Sequence, residues 1–146
     1  WFNPDCPFVR WAHGQGQLQK MAANYRALGV VWLAVNSAGY GRQGYGLERN
    51  KKAAQEFGLL HPILLDEDGQ IGKLYSARRT PSAALINRQG LVAYLGGIDN
   101  LPMGEMARAG EQPENWLDNA ISAVLANQPV PVSSGPSWGC SVKYAQ

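Results

Sequence analysis

The feature that most constrains the fold is a run of six apolar residues at 30–35, rich in β-branched and aromatic side chains. A continuous apolar run of this length is typical of a strand covered on both faces, as in a parallel sheet. Apolar residues at helical spacing precede it over 7–28, although Gly14 and Gly16 weaken the middle of that segment. A buried strand that follows a helix predicts a layered α/β domain.

Strands and helices continue to alternate along the chain. The sequence predicts a helix over 47–57, a short buried strand over 62–65, two helical turns over 71–77, and a hairpin formed by 83–86 and 91–95. Pro113 fits the first position of a last helix after a loop at 96–112. Strands joined through helices imply right-handed crossovers, and the closing hairpin makes the sheet mixed.

Length and charge limit the class of protein. The 146 residues fit one domain, placed at 1–128, followed by a proline- and serine-rich irregular tail at 129–146 that carries Cys140. The 13 basic and 11 acidic side chains lie scattered along the chain, which argues against a nucleic-acid-binding patch. The longest apolar run is too short for a membrane span. Because the sequence does not begin with Met, we expect a processed or truncated chain, and an extracytoplasmic location is favoured over others.

Cys6 stands at the start of the first predicted helix, within NPDCPFV at 3–9. Unpaired N–H groups and the positive end of the helix dipole favour thiolate over thiol at such a position. Pro7 suits the first helical position because it lacks an N–H. The alternative is a buried cysteine that acts as a small apolar side chain. Position alone leaves both interpretations open.

Thr80-Pro81 precedes the first strand of the predicted hairpin. By itself an X-Pro bond predicts an ordinary trans proline, since only about 5–6% of such bonds are cis. Arg78 and Arg79 beside this turn could steady a thiolate or a peroxide oxygen, or they are exposed loop charges. His13 lies about 10 Å beyond Cys6 along a helix, too far to act as its base, and is predicted to be a surface side chain.

Together these segments resemble the thioredoxin superfamily, and within it the peroxiredoxin-like proteins related to alkyl hydroperoxide reductase and thiol-specific antioxidant. The matching segments are NPDCPFV at 3–9, GVVWLAVNS at 29–37, the stretch 61–87, YLGGIDN at 94–100 and GCSVKYA at 139–145. They span nearly the whole chain. The resemblance implies a thioredoxin-like three-layer α/β/α fold, with a mixed sheet ending in a hairpin, a C-terminal helix and an irregular tail.

The same resemblance implies redox chemistry of thiols. Cys6 would be the nucleophile, and a cis Pro81 would pack beside Cys6. Our own hypothesis adds Cys140 as the resolving cysteine, as in two-cysteine redox enzymes. The other residues of the substrate groove would be Thr80, Asn3 and Arg79. The expected partners are protein or small-molecule thiols, disulfides or peroxides, and neither a cofactor nor a metal is expected.

Two departures from the family pattern limit which of the family's activities this chain is expected to have. Val9 occupies the place of the second cysteine of a C-x-x-C dithiol, which excludes that cycle. Asn3 stands where peroxiredoxins carry Thr or Ser, which argues against an efficient peroxidase. We therefore expect a thiol–disulfide oxidoreductase or a weak thiol peroxidase. The alternative is a non-catalytic thioredoxin-fold module for binding or assembly, whose cysteines form a permanent bridge or stay inert.

One further expectation concerns the sheet. In the thioredoxin fold the strand that leads into the active cysteine is central, and here only Trp1 and Phe2 remain of it. A sheet without that strand would bury two edges with unpaired N–H and C=O groups. We therefore expect either an upstream strand in the natural protein or another chain, from a homo-oligomer or a partner, to complete the sheet.

Overall fold

The computed structural model describes residues 1–15, 17–104 and 112–146 and shows a mixed α/β protein. Its α-helices are α1 (Pro7–Gly14), α2 (Leu18–Ala27), α3 (Leu47–Glu56), α4 (Gln70–Leu74) and α5 (Trp116–Leu125). Its strands are β1 (Ala34–Asn36), β2 (Ile63–Leu65), β3 (Arg79–Thr80), β4 (Ala83–Ile86), β5 (Val92–Gly96) and β6 (Cys140–Ser141). None of the helices in these ranges has the length and apolar character that crossing a membrane requires.

The helical segment predicted over 7–28 forms as two helices. Gly14 is the last residue of α1, and α2 begins after Gln17. Glycine costs backbone entropy inside a helix, so the glycine-containing middle is where the helix ends. The apolar residues on either side still point inward, with Val9 on α1 and Met21 on α2 both buried.

The strand predicted over 30–35 is shorter than expected and is not covered on both faces. Only β1 is paired, in parallel with β2, from Ala34 opposite Ile63 to Asn36 opposite Leu65. Val31 is 82% exposed and Leu33 is 49% exposed. A strand forms where a neighbouring strand supplies hydrogen-bond partners. Strand β2 supplies them only to residues 34–36.

The start of the chain lies between two strands. The Phe2 N–H donates to the Val35 carbonyl at 2.8 Å, and the Trp1 amino group donates to the Ser82 carbonyl. Val35 belongs to β1, and Ser82 directly precedes β4, which is paired on its other side with β5. Among the described residues, the six strands form three two-stranded sheets. The expectation that a further strand, or another chain, completes the sheet stays a prediction.

The hairpin is confirmed, whereas the last helix begins later than expected. Antiparallel β4 and β5 pair from Ala83 opposite Gly96, with a register shift after Leu85. Helix α5 begins at Trp116 rather than at Pro113, because the Asn115 side chain accepts the Asp118 N–H at 2.9 Å and caps the helix there. The predicted loop at 96–112 lies partly outside the described residues.

The tail is irregular over most of its length but ends in a strand that the sequence did not predict. Its backbone first follows β5, where the Leu95 N–H donates to the Ser133 carbonyl at 3.0 Å. It then forms β6, which pairs antiparallel with β3, so that Thr80 lies opposite Cys140. The end of the chain is therefore held against the segment before the hairpin.

The buried side chains form two clusters. The larger joins α1, α2 and α5 to the hairpin through residues such as Tyr25, Tyr94 and Ile121. The smaller contains Cys6, together with its buried neighbours Phe2, Val9, Ala34 and Ala53. Cys140 packs against this second cluster, so the two cysteines share one apolar environment.

Candidate thiol redox site

Cys6 is the N-cap residue of α1, as the sequence predicts. Its backbone is extended, with φ −78° and ψ 122°, and its carbonyl accepts the Arg10 N–H at 3.0 Å. Pro7 follows at the first helical position. The Cys6 side chain is completely buried, with 0% of its surface exposed. The helix start therefore aims its free N–H groups at a sulfur that water does not reach.

Cys140 reaches Cys6 because β6 pairs with β3. Gly139, with φ +107°, lies so close to the Thr80 carbonyl that a Cβ there would overlap it. Glycine alone fits that approach and that backbone conformation. Cys140 is half-buried, packs against the buried cluster that contains Cys6, and lies close enough for its thiol to influence the pKa of Cys6. Both cysteines are free thiols in this structure.

The Thr80-Pro81 segment packs against Cys6 on the side of β3. The bond is cis, as the family resemblance implies. The Cys6 thiol donates to the Thr80 carbonyl at 3.3 Å, which is the carbonyl of that same peptide bond. Thr80 and Pro81 are both fully buried. The segment before the hairpin thus contacts the candidate nucleophile directly.

The surroundings of Cys6 favour its thiolate. Burial by itself raises the pKa of Cys6, but groups placed to donate to its thiolate outweigh burial and lower the pKa below its ordinary value. These groups are the Cys140 thiol, the Thr80 hydroxyl and backbone N–H groups. Those N–H groups belong to Val9, in the first turn of α1, and to Cys140. The Thr80 hydroxyl is buried and has no hydrogen-bond partner in the described structure, so it is free to donate to a Cys6 thiolate.

Cys140 shifts in the opposite direction. Burial, together with the hydrogen bond and the charge of Cys6, raises the pKa of Cys140 to about 11, although Lys143 and the Phe8 N–H act to lower it. Two sulfurs in contact cannot both carry a negative charge at low cost. When the pair loses one proton, the charge is therefore favoured on Cys6, and Cys140 keeps its proton.

Asn3 does not offer its side chain to a substrate groove. Its amide donates to the Gln43 carbonyl at 2.9 Å, and its oxygen accepts the Asp5 N–H at 2.9 Å. The side chain is 98% buried, since only 2% is exposed. Both of its polar groups are engaged, so in this structure Asn3 ties the loop at 37–46 to the turn that leads into Cys6.

Arg79 lies at the edge of the site and is exposed. Its guanidinium donates to the Gly139 carbonyl at 3.3 Å, beside Cys140. Arg79 also lines a cavity of about 330 Å³, whose wall includes Trp1, Tyr75, Arg78, Ser82 and Ser137. Arg79 and Ser82 flank Thr80-Pro81, so this cavity opens next to the segment that contacts Cys6.

His13 and His61 are buried, contrary to the prediction that His13 is a surface side chain. Their ring centroids lie 6.5 Å apart, and His13 stacks on Phe57 at 5.7 Å. His13 Nδ1 and His61 Nε2 have no hydrogen-bond partner among the described residues. The sequence spacing could have predicted this burial, since His13 lies four residues after Val9 and therefore shares the buried face of α1.

Burial keeps both imidazoles neutral. It lowers the pKa of His13 to about 4, aided by His61, and lowers the pKa of His61, aided by Arg26. The two rings border a cavity of about 310 Å³ together with Lys20 and Arg26. Within the described ranges, no third His, Cys, Asp or Glu joins them to make a metal site.

Comparison with known proteins places the chain among relatives that share its fold. No protein-family model and no curated protein matches this sequence. A crystal structure of a hypothetical protein from Sinorhizobium meliloti 1021 is 28% identical, with a TM-score of 0.80 over 99% of this chain and 76% of that one. An uncharacterized conserved protein from Geobacillus kaustophilus is 31% identical, with a TM-score of 0.77 over 96% of this chain and 72% of that one. The chain belongs to the same family as the Geobacillus protein. Neither name states an activity.

Proposed function

We propose that this protein is a thiol–disulfide oxidoreductase in which Cys6 and Cys140 form the redox pair. The observation that carries the proposal is that the pairing of β6 with β3 brings Cys140 against the buried cluster that contains Cys6, at the N-terminus of α1, where Cys6 is favoured as thiolate. Thiolate, rather than thiol, attacks a sulfur. Cys6 is therefore the nucleophile of the pair, and Cys140 is the second sulfur of the bridge.

The proposal extends to a thioredoxin-like three-layer α/β/α fold. Its support is the parallel pairing of β1 with β2, the antiparallel hairpin of β4 and β5, and the cis Thr80-Pro81 bond beside a helix-start cysteine. On that fold the substrates would be protein or small-molecule thiols and disulfides. A weak thiol peroxidase has less support, because Cys6 is fully buried and the Asn3 side chain is already engaged.

A second candidate function is favoured by one observation, the complete burial of Cys6. A buried cysteine without access to a substrate serves as an apolar side chain or as half of a permanent bridge. The protein would then be a non-catalytic thioredoxin-fold module for binding or assembly. The two candidates differ in whether the Cys6–Cys140 bridge opens under mild reducing conditions.

The test is to oxidise the protein, map its disulfides without reductant, and then equilibrate it with mixtures of reduced and oxidised glutathione. A Cys6–Cys140 bridge that opens and closes within the range of glutathione mixtures supports the oxidoreductase. A bridge that resists them, as structural disulfides do, supports the non-catalytic module. The variants Cys6→Ser and Cys140→Ser serve as controls that cannot form the bridge. No bridge under any oxidant would contradict the redox pair.

A further inference from the structure

The two sulfurs of the pair differ in access. Cys6 is 0% exposed and enclosed by α1, by the Thr80-Pro81 segment and by β6. Cys140 is half-buried, on a strand of two residues near the end of the chain. Ser141, beside it on β6, is exposed. Cys140 is therefore partly open to solvent in the folded protein, whereas no part of Cys6 is.

We infer that external thiols enter this site at Cys140 and that the oxidised pair accepts their electrons. The inference rests on the proposed redox function, and it differs from the expectation that Cys6 meets the substrate first. In the first step a substrate thiolate attacks the Cys140 sulfur of the Cys6–Cys140 disulfide. The Cys140–substrate bond forms, the Cys6–Cys140 bond breaks, and Cys6 leaves with the electron pair as thiolate.

A second substrate thiolate completes the reaction. It attacks the substrate sulfur of the mixed disulfide, so that the substrate disulfide departs and Cys140 leaves as thiolate, which takes a proton from water. Two thiolates are thereby oxidised to one disulfide, and the protein disulfide is reduced by two electrons. Through this second step Cys6 keeps the negative charge that it gained in the first, beside the groups that can donate to its thiolate.

The surroundings of Cys6 give the reaction its direction. A sulfur leaves faster when its thiol is more acidic, and a disulfide is a stronger oxidant when its reduced form is stabilised. The Thr80 hydroxyl and the N–H groups of Val9 and Cys140 lower the pKa of Cys6, while that of Cys140 is raised. Cys6 is thus the better leaving group, and attack at the accessible Cys140 releases it.

The experiment mixes oxidised protein with limiting glutathione, stops the reaction with acid at short times, and locates the adduct by peptide mass spectrometry. We expect at least about tenfold more glutathione on Cys140 than on Cys6, since access selects the sulfur that is attacked. Thiolate absorbance in the ultraviolet should rise with the adduct as Cys6 is released. The same reaction in denaturant, where both sulfurs are accessible, is the control for that preference.

An adduct found on Cys6, or in equal amounts on both cysteines, would overturn the inference. A second measurement guards against migration of the adduct between sulfurs. Cys6→Ser and Cys140→Ser, each with one thiol, are reacted with glutathione disulfide. Each rate is corrected for the fraction of thiolate, measured by titration of the same variant, and divided by the corrected rate in denaturant. Greater protection of Cys140 than of Cys6 would also overturn it. If the oxidised protein holds no Cys6–Cys140 bridge at the outset, the proposed function itself fails.

Discussion

The two ends of α1 carry buried titratable groups that respond to burial in different ways. At the N-terminal end, Cys6 is fully buried, yet its pKa is lowered and its charged form is favoured. At the C-terminal end, His13 is almost as buried, and its pKa is lowered to about 4, so that its neutral form is favoured. Burial penalises the charged form of both groups. Only at Cys6 do hydrogen-bond donors outweigh that penalty.

Helix direction by itself does not explain the difference. The dipole favours an anion at the N-terminus and a cation at the C-terminus, so it would help both groups to ionise. What differs is the number of hydrogen bonds. Cys6 receives them from side-chain and backbone donors on three segments, whereas His13 Nδ1 has no partner in the described structure. Directed donors, more than the helix dipole, decide which group is charged.

The largest change is expected from Gly139→Ala, which would disturb the Cys6 end. The added Cβ would overlap the Thr80 carbonyl, and φ +107° disfavours any side chain. We expect a loss of roughly 3 kcal/mol in the free energy of unfolding, from strain and overpacking together, and a rise in the pKa of Cys6 as β6 shifts. Urea unfolding and carbon NMR of labelled cysteine measure the two effects.

Gly90→Ala is the matched control. Gly90 also has a positive φ, of +78°, but no atom lies within 4 Å of the added Cβ. Its cost should be about 1 kcal/mol, from backbone strain alone. Equal losses for the two variants would show that the close approach of Gly139 to Thr80 does not hold the site together.

The pH dependence of stability tests the His13 end. His13 has a pKa of about 4 in the folded protein and about 6.5 when unfolded. Between these values the unfolded chain binds more protons, so stability falls as the pH falls from 6.5 to 4, by up to about 3 kcal/mol. His13→Leu should remove this loss without lowering stability at neutral pH, because it deletes a buried nitrogen that has no partner. Urea unfolding across that pH range measures it.

His61→Leu is the companion variant, since the pKa of His61 is lowered too. The chain has two histidines, so the double variant leaves none. Its remaining pH dependence over the same interval then comes from other groups. If the double variant loses as much stability on acidification as the parent protein, the two imidazoles are not the neutral, buried groups described above.

Removal of one donor at the Cys6 end should have a smaller effect. Thr80→Val keeps the shape of the side chain and deletes the hydroxyl, which is buried without a hydrogen-bond partner in the described structure and is placed to donate to a Cys6 thiolate. A hydrogen bond to a charged group contributes roughly 1.5 kcal/mol or more, so the pKa of Cys6 should rise by about one unit. Carbon NMR of labelled cysteine across pH gives the value. Thr80→Ser, which retains a hydroxyl, should restore it, and an unchanged pKa in Thr80→Val would exclude Thr80 as a donor.

The smallest effect is expected from a neighbouring cation. Arg49 on α3 pairs with Asp5 at 2.7 Å and donates to the Pro4 carbonyl, just before Cys6. Arg49→Gln should lower the free energy of unfolding by about 1 kcal/mol or less, as a partly exposed ion pair does, and leave the pKa of Cys6 unchanged. Lys51→Gln, whose pair with Glu48 is exposed, is the control. A rise in the pKa of Cys6 in Arg49→Gln would show that charge contributes alongside hydrogen bonds.

Local sequence was sufficient for the features that depend on neighbours along the chain. The hairpin of β4 and β5 follows from alternating strand segments around the turn at Asn87, whose side chain accepts the N–H groups of Gln89 and Leu91. The position of Cys6 at a helix start follows from Pro7 and the helical spacing after it. The cis bond before Pro81 was predicted from the resemblance to a family, because the local sequence by itself predicts an ordinary trans bond.

The sequence by itself determined an α/β chain with a thiol at the start of a helix and a second thiol near its end. Only the tertiary structure decided that β6 pairs with β3, that Cys140 therefore packs against the cluster that contains Cys6, and that His13 is buried. Each of these depends on residues far apart in the chain, because a two-residue strand such as β6 has no pattern of its own and exists only where β3 supplies its hydrogen bonds. The charge of Cys6 is set in the same way, since its donors come from segments that meet only in the folded protein.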